Sequence, residues 1–245
     1  MDPIYFVLLI SVMGPVLGSL IGIMRRPSEM FMYNMLAFAA GVMLAISFLE
    51  LIPQSIELSS IWLCSIGIIV GASIMYLVDK LIPHIHPDPN MSSESKKLHK
   101  TAFLLIVGIF IHNFPEGMTI AVGAAIDVRL AMVIAIAIAV HNIPEGICTS
   151  APYYYCTKKR LKSFLISSST AIPIVLGFFV ASFLFRIISE SLIGIIVAIT
   201  AGVMIYISGD ELIPTSCVKN GKRWGHTKIF SLIVGVVFVV LLSFI

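Results

Sequence analysis

Charge is the scarcest commodity in this 245-residue chain. Asp, Glu, Lys and Arg make up 12% of it, against about 25% in an ordinary globular chain, and its mean hydropathy is +1.03. Those values exclude a water-soluble domain and place the chain in the integral-membrane class. The expected surroundings are a lipid bilayer, and no nucleic-acid partner is expected. Cysteine is sparse too. Cys64, Cys148, Cys156 and Cys217 form no C-x-x-C pair, so neither a zinc-finger framework nor a disulfide scaffold is supported. No H-E-x-x-H is present, which removes that zinc-protease signature. The opening Met1-Asp2-Pro3 offers no basic stretch, and the first apolar run shows no small-residue cleavage pattern. That run is expected to remain a helix rather than to be a signal peptide.

Long apolar runs are abundant. A spanning helix needs about 20 apolar residues to cross a core of about 30 Å. Eight segments qualify: 4–24, 31–52, 60–82, 101–125, 130–150, 162–185, 192–213 and 228–245. They make one transmembrane domain over residues 1–245, an all-α membrane protein, with a polar loop over about 83–100. The loops after spans one, three, five and seven hold 14 of the 16 Lys and Arg residues; the others are Arg129 and Arg186. The positive-inside rule makes those loops cytoplasmic and both termini extracytoplasmic, in a multi-pass protein of the cell (plasma or inner) membrane.

Two internal repeats stand out. Ala40-Gly41-Val42-Met43, Ile46-Ser47 and Glu50-Leu51-Ile52-Pro53 in span two return in span seven as Ala201-Gly202-Val203-Met204, Ile207-Ser208 and Glu211-Leu212-Ile213-Pro214. Ten of 14 aligned positions are identical. His112-Asn113-Phe114-Pro115-Glu116-Gly117 in span four returns as His141-Asn142-Ile143-Pro144-Glu145-Gly146 in span five. In both cases the copies lie in spans of opposite direction. This pattern is the trace of inverted-topology repeats, in which a transporter's substrate site lies near the midplane at the repeat interface.

An ionised acid at a helix centre costs roughly 2.5–3.5 kcal/mol. Two such acids, each beside a His and an Asn, need something to offset them, and a divalent cation is the simplest candidate. On a helix, His112 and Glu116 are i and i+4, and Asn113 and Glu116 are i and i+3, so each pair shares a face. The carboxylate can serve a metal on its His side or one on its Asn side. His141, Asn142 and Glu145 repeat the geometry. Pro115 and Pro144 each remove a backbone donor and press on the carbonyl four residues earlier. Gly117 and Gly146 permit close helix approach. Imidazole with carboxylate suits zinc, iron(II), manganese, cobalt, nickel or cadmium, and the lack of Cys or Met in the motif argues against copper(I).

With these motifs the chain resembles the ZIP (Zrt/Irt-like) divalent metal transporters, nearest their bacterial ZupT-type branch. The resemblance covers essentially the whole chain and includes Leu81-Ile82-Pro83-His84-Ile85-His86-Pro87 and Asp210-Glu211-Leu212-Ile213-Pro214. It implies an eight-helix bundle and a midplane site, binuclear in some members. His112, Glu116, His141 and Glu145 would hold the first metal, and Asn113, Glu116, Asn142 and Glu145 the second. It also implies that Asp210 and Glu211 lie at a cytoplasmic exit and that His84 and His86 are the family's loop histidines. One position departs: Ile172 stands where ZupT-like members carry a glutamate completing the second position, so that position is expected to be weakened or empty.

Other residues carry two readings. Glu50 and Glu211 are either interfacial charges or outer and inner way-stations for a cation. His84 and His86 either collect or sense leaving metal or belong to a solvated loop. Asp79 reads as structural or paired to Lys80, and Tyr153, Tyr154, Tyr155 and Trp224 as interfacial anchors. The function expected is a carrier, not an enzyme. It moves zinc first, with iron(II), manganese, cobalt and cadmium as further substrates, into the cytoplasm by alternating access. It needs no cofactor beyond the transported metal, and a homodimer is compatible with the reading. The competing class is an intramembrane metal-dependent protease. That class needs one open metal position and a general base, whereas this site is duplicated.

Overall fold

A computed structural model describes residues 3–81, 93–126, 128–184, 189–219, 222–223 and 226–242. Apart from short connections, the described residues are helical, with one two-rung antiparallel ladder between Val218–Lys219 and Lys222–Arg223. The helices are α1 (Pro3–Met24), α2 (Glu29–Ile46), α3 (Ile52–Leu58), α4 (Ile61–Leu81), α5 (Ser93–Ile126), α6 (Val128–Thr157), α7 (Arg160–Ser168), α8 (Ile172–Leu184), α9 (Glu190–Tyr206), α10 (Ile213–Cys217) and α11 (His226–Leu242). Seven helical stretches among them are long and apolar enough to cross a membrane. The eighth expected span is α11, whose 17 residues reach about 26 Å at 1.5 Å per residue.

The expected boundaries move in several places, with span five running on to Thr157 and span seven to Ser216. Span four starts earlier, because α5 opens at Ser93 within the segment read as loop; polar Lys and Ser lower hydropathy without barring a helix. Span two runs on through α3 to Leu58. His84, His86 and Trp224 lie outside the described residues.

The span-two and span-seven repeat is a structural repeat as well. Ser28 caps α2 by accepting from the Phe31 N–H, and Ser189 caps α9 by accepting from the Leu192 N–H. Glu29 and Glu190 follow in the first turns, where an acid suits the helix dipole. Both helices then widen into a π turn, over Ser47–Leu51 and over Ile207–Leu212. The Ile52 N–H reaches back to the Ser47 carbonyl and the Ile213 N–H to that of Ser208. The prolines supply the cause: Pro53 and Pro214 each press on the carbonyl four residues back, which lies inside the widened turn.

Helix α1 lies on α6, α8 on α5, α4 on α9 and α11 on α2, with α5 against α6 between them. Exchanging span one with six, two with seven, three with eight and four with five maps these pairings onto themselves. Each exchanged pair is separated by an odd number of crossings, so its members run in opposite directions. Glycines set the contacts. A Cβ on Gly117 would stand 1.9 Å from the Ile174 carbonyl oxygen, and one on Gly146 2.6 Å from that of Pro15. A Cβ on Gly41 would stand 2.0 Å from the Leu232 oxygen, and one on Gly202 2.1 Å from that of Ile68. The helices fall into two groups, α1, α5, α6, α7 and α8 in one and α2, α3, α4, α9, α10 and α11 in the other. Most of the packing is within groups.

Tyr153 is buried, with its ring centroid 5.2 Å from that of His99.

Candidate metal centre

Both copies of the His-Asn-x-Pro-Glu-Gly motif lie within unbroken helices, α5 and α6. Because α5 and α6 pack side by side, the two motifs meet. His112, Glu116 and His141 bring one ligand atom each to within 4.8 Å of one another. The Glu116 Oε1 atom lies 2.6 Å from His141 Nε2 and 2.9 Å from His112 Nε2. The His112 contact lacks hydrogen-bond geometry, and both nitrogens of that ring are buried without a hydrogen-bond partner. Asn142 Nδ2 donates to Glu116 Oε2 at 2.9 Å. The two imidazole centroids are 6.3 Å apart. In a tetrahedral zinc site neighbouring ligand atoms stand roughly 3.3–3.6 Å apart, so the two Glu116–imidazole contacts lengthen by less than about an ångström to admit an ion.

Glu145 is placed differently. Its residue is 2% exposed, and neither carboxylate oxygen has a hydrogen-bond partner. Asn113 Oδ1 and Asn142 Oδ1 are likewise buried and unpaired. A buried polar atom without a partner ordinarily costs about 1–3 kcal/mol, and more when charged. Here four oxygens, from the Asn of both motifs and the Glu of the second, all acceptors, share that condition. A cation satisfies acceptors and a proton donor does not reach them, so the donor set fits a metal ion.

The remaining expected residues sort by place. Glu50 is exposed and lines a cavity of ≈ 200 Å³ together with Gln54, His112, Glu116, Thr119 and His141. It thus shares that cavity with three residues of the centre. Glu211, its repeat partner, is 7% exposed and groups with Asp210 and Asp79, one oxygen from each lying within 4.8 Å of the others. Of the two readings of Asp79, the pairing with Lys80 gives way: its ion-pair partner is Lys100, at 2.5 Å, while Lys80 lies over the Tyr76 ring.

The Ile172 side chain faces outward. It is 51% exposed and follows the outward stripe of Leu176, Phe179 and Phe183, while Ile174, Phe178 and Ala181 face inward. The cause is the 3-10 turn Ser169–Ala171 just before it. Pro173 has no N–H to give the Ser169 carbonyl, so the Ile172 N–H serves it one residue early. What span six brings to the centre is a backbone atom, the Thr170 carbonyl, which accepts from Asn113 Nδ2 at 2.6 Å. No side-chain pattern could have marked it.

A family model described as "ZIP Zinc transporter" matches residues 3–102 and 88–243. The chain belongs to the ZIP family. Among curated ZIP relatives, "Zinc transporter ZupT" of Chlorobium phaeovibrioides is 33% identical over 257 residues, covering 96% of each chain. That of Chlorobaculum parvum is 39% identical over 82% of each. That of Escherichia coli O7:K1 is 34% identical over 81% of this chain and 80% of its own. ZIP proteins are transporters, which sets the protease reading aside, and this one is a multi-pass membrane protein.

Proposed function

We propose that this chain carries zinc into the cytoplasm by alternating access, with iron(II), manganese, cobalt and cadmium as further substrates of the same donor chemistry. The observation that carries the reading is the convergence of His112, Glu116 and His141 beside an unpaired Glu145 deep between α5 and α6. The printed names of the relatives supply zinc as the first substrate. The charge distribution orients the path. With the Lys- and Arg-rich loops inside, the Glu50 cavity opens outward, both termini lie outside, and Asp210 and Glu211 lie at the inner end.

A cation arriving past Glu50 meets the His side of Glu116 first. The contacts among Glu116, the two imidazoles and Asn142 hold the acid in place while the site is empty, and the ion replaces them when it binds. Glu145, Asn113 and Asn142 supply further oxygens on the inner side. The second position is therefore oxygen-rich, and the first mixes nitrogen and oxygen. Borderline ions such as zinc favour the mixed set, and harder ions such as manganese tolerate the oxygen set. All six side chains sit on α5 and α6, in one helix group. Release follows when that group and the other change their relation, which exposes the centre to the inner side.

The test is zinc uptake into proteoliposomes across a panel of divalent ions. Parent vesicles should fill and Glu116→Ala vesicles should not. Normal uptake by Glu116→Ala would overturn the site assignment.

A further inference from the structure

The inner end of the bundle holds a cluster that the metal centre does not use. Lys100, at the start of the spanning part of α5, places its Nζ 2.5 Å from Asp79 Oδ1 on α4 and 3.7 Å from Glu211 Oε1 in the π turn after α9. Its neighbour Thr101 donates to Glu211 Oε2 at 2.8 Å and lies 3.2 Å from the Thr215 hydroxyl on α10. Helix α5 belongs to one helix group, and α4, α9 and α10 belong to the other. These bonds therefore fasten the two groups together. They do so far from the open cavity. The cavity meets α5 at His112, Pro115, Glu116 and Thr119, and Lys100 lies 12 residues before His112, about 18 Å along the axis.

We propose that Lys100 is a tethered cation that locks the inner end shut until a divalent ion takes its place among Asp79, Asp210 and Glu211. The ammonium is one positive charge facing three carboxyl groups. A divalent ion brings two charges and accepts several oxygens at once, so it competes for the cluster while Lys100 swings away on its flexible stem. Losing the Lys100 bridge leaves the hydroxyl clasp of Thr101 as the remaining tie at this cluster, and the groups can separate there. Metal leaving the centre thus opens its own way out. The inference rests on the transport reading and adds the device that couples cargo to release.

Amide hydrogen exchange tests it, on the full chain in lipid nanodiscs with and without zinc chloride. In the parent, zinc should speed exchange at the start of α5 and through Ile207–Cys217 by about tenfold, the signature of local opening. Lys100→Met should show that fast exchange without zinc and gain no more when zinc is added, while keeping the parent's zinc affinity at the midplane. Lys100→Arg should behave as the parent. Thr101→Val keeps the charge and should give an intermediate rise, which decides the matter if Lys100→Met fails to fold. Unchanged exchange in Lys100→Met, or in Thr101→Val where Lys100→Met is unfolded, overturns the lock, as does a parent that does not respond to zinc. The two readings fail separately. Parent vesicles that take up no zinc would overturn transport while leaving the exchange pattern to stand; uptake without any exchange change would overturn the lock alone.

Discussion

Glu116 and Glu145 occupy the same place in two copies of one motif. Glu116 is met by His112, His141 and Asn142 from two helices, whereas neither oxygen of Glu145 meets any donor. The same division recurs at a larger scale. Glu50 is exposed at a cavity mouth, while Glu211, at the matching position of its repeat, is buried beneath Lys100 and Thr101. Near-identical segments thus hold unlike states on the two sides of the bundle. The lesson is that the repeat provides two equivalent ends and the tertiary contacts choose which one is open.

The largest break in this comparison should come from Glu116→Ala. It strips the acid shared by both imidazoles, and breaking a buried pair costs about 3–5 kcal/mol. Zinc affinity read by calorimetry should fall by at least about 100-fold. Glu145→Ala should fall less, by roughly tenfold, because His112, Glu116 and His141 remain to hold the ion.

The glycines come next. Gly117→Ala and Gly146→Ala both force a Cβ against backbone, and overpacking of this kind costs about 1–3 kcal/mol. Gly117→Ala should be the worse, since its clash distance is 1.9 Å against 2.6 Å. Thermal unfolding in detergent ranks them, and the reverse order would show that helix α8 yields more readily than α1.

A smaller shift, of opposite sign at the two acids, should follow their neutralisation. Glu145→Gln relieves an unpaired buried carboxylate and should raise the metal-free Tm by about 2–4 °C, the equivalent of roughly 1 kcal/mol. Glu116→Gln should lower it. Equal shifts would mean that the two sites are equivalent after all.

The smallest effect on binding should come from Ile172→Glu. Its side chain points outward, so the metal stoichiometry by elemental analysis should stay at the parent's value. An added equivalent would show that span six can rotate to present it.

Much of the centre was legible beforehand. His112, Asn113, Glu116 and their images announce themselves because acids and imidazoles in an apolar helix are too costly to be incidental. The helical period then puts them on one face. The pairing of Glu211 with Asp210 was also open to reading. Asp79 and Lys100 were not, since their meeting depends on α4 and α5 arriving at the same corner, and no periodicity within either helix records that. Ile172 shows the converse limit. Alignment gives its position along the chain, but one 3-10 turn alters where it points.

Spans, loop charges, motif and repeat all follow from the order of residues, because hydropathy, charge and helical spacing act along the chain. Which carboxylate finds partners, which end is sealed, and where Ile172 faces were decided only once the helices packed. Those outcomes depend on contacts between segments far apart in sequence, and a symmetric sequence cannot name the side that closes.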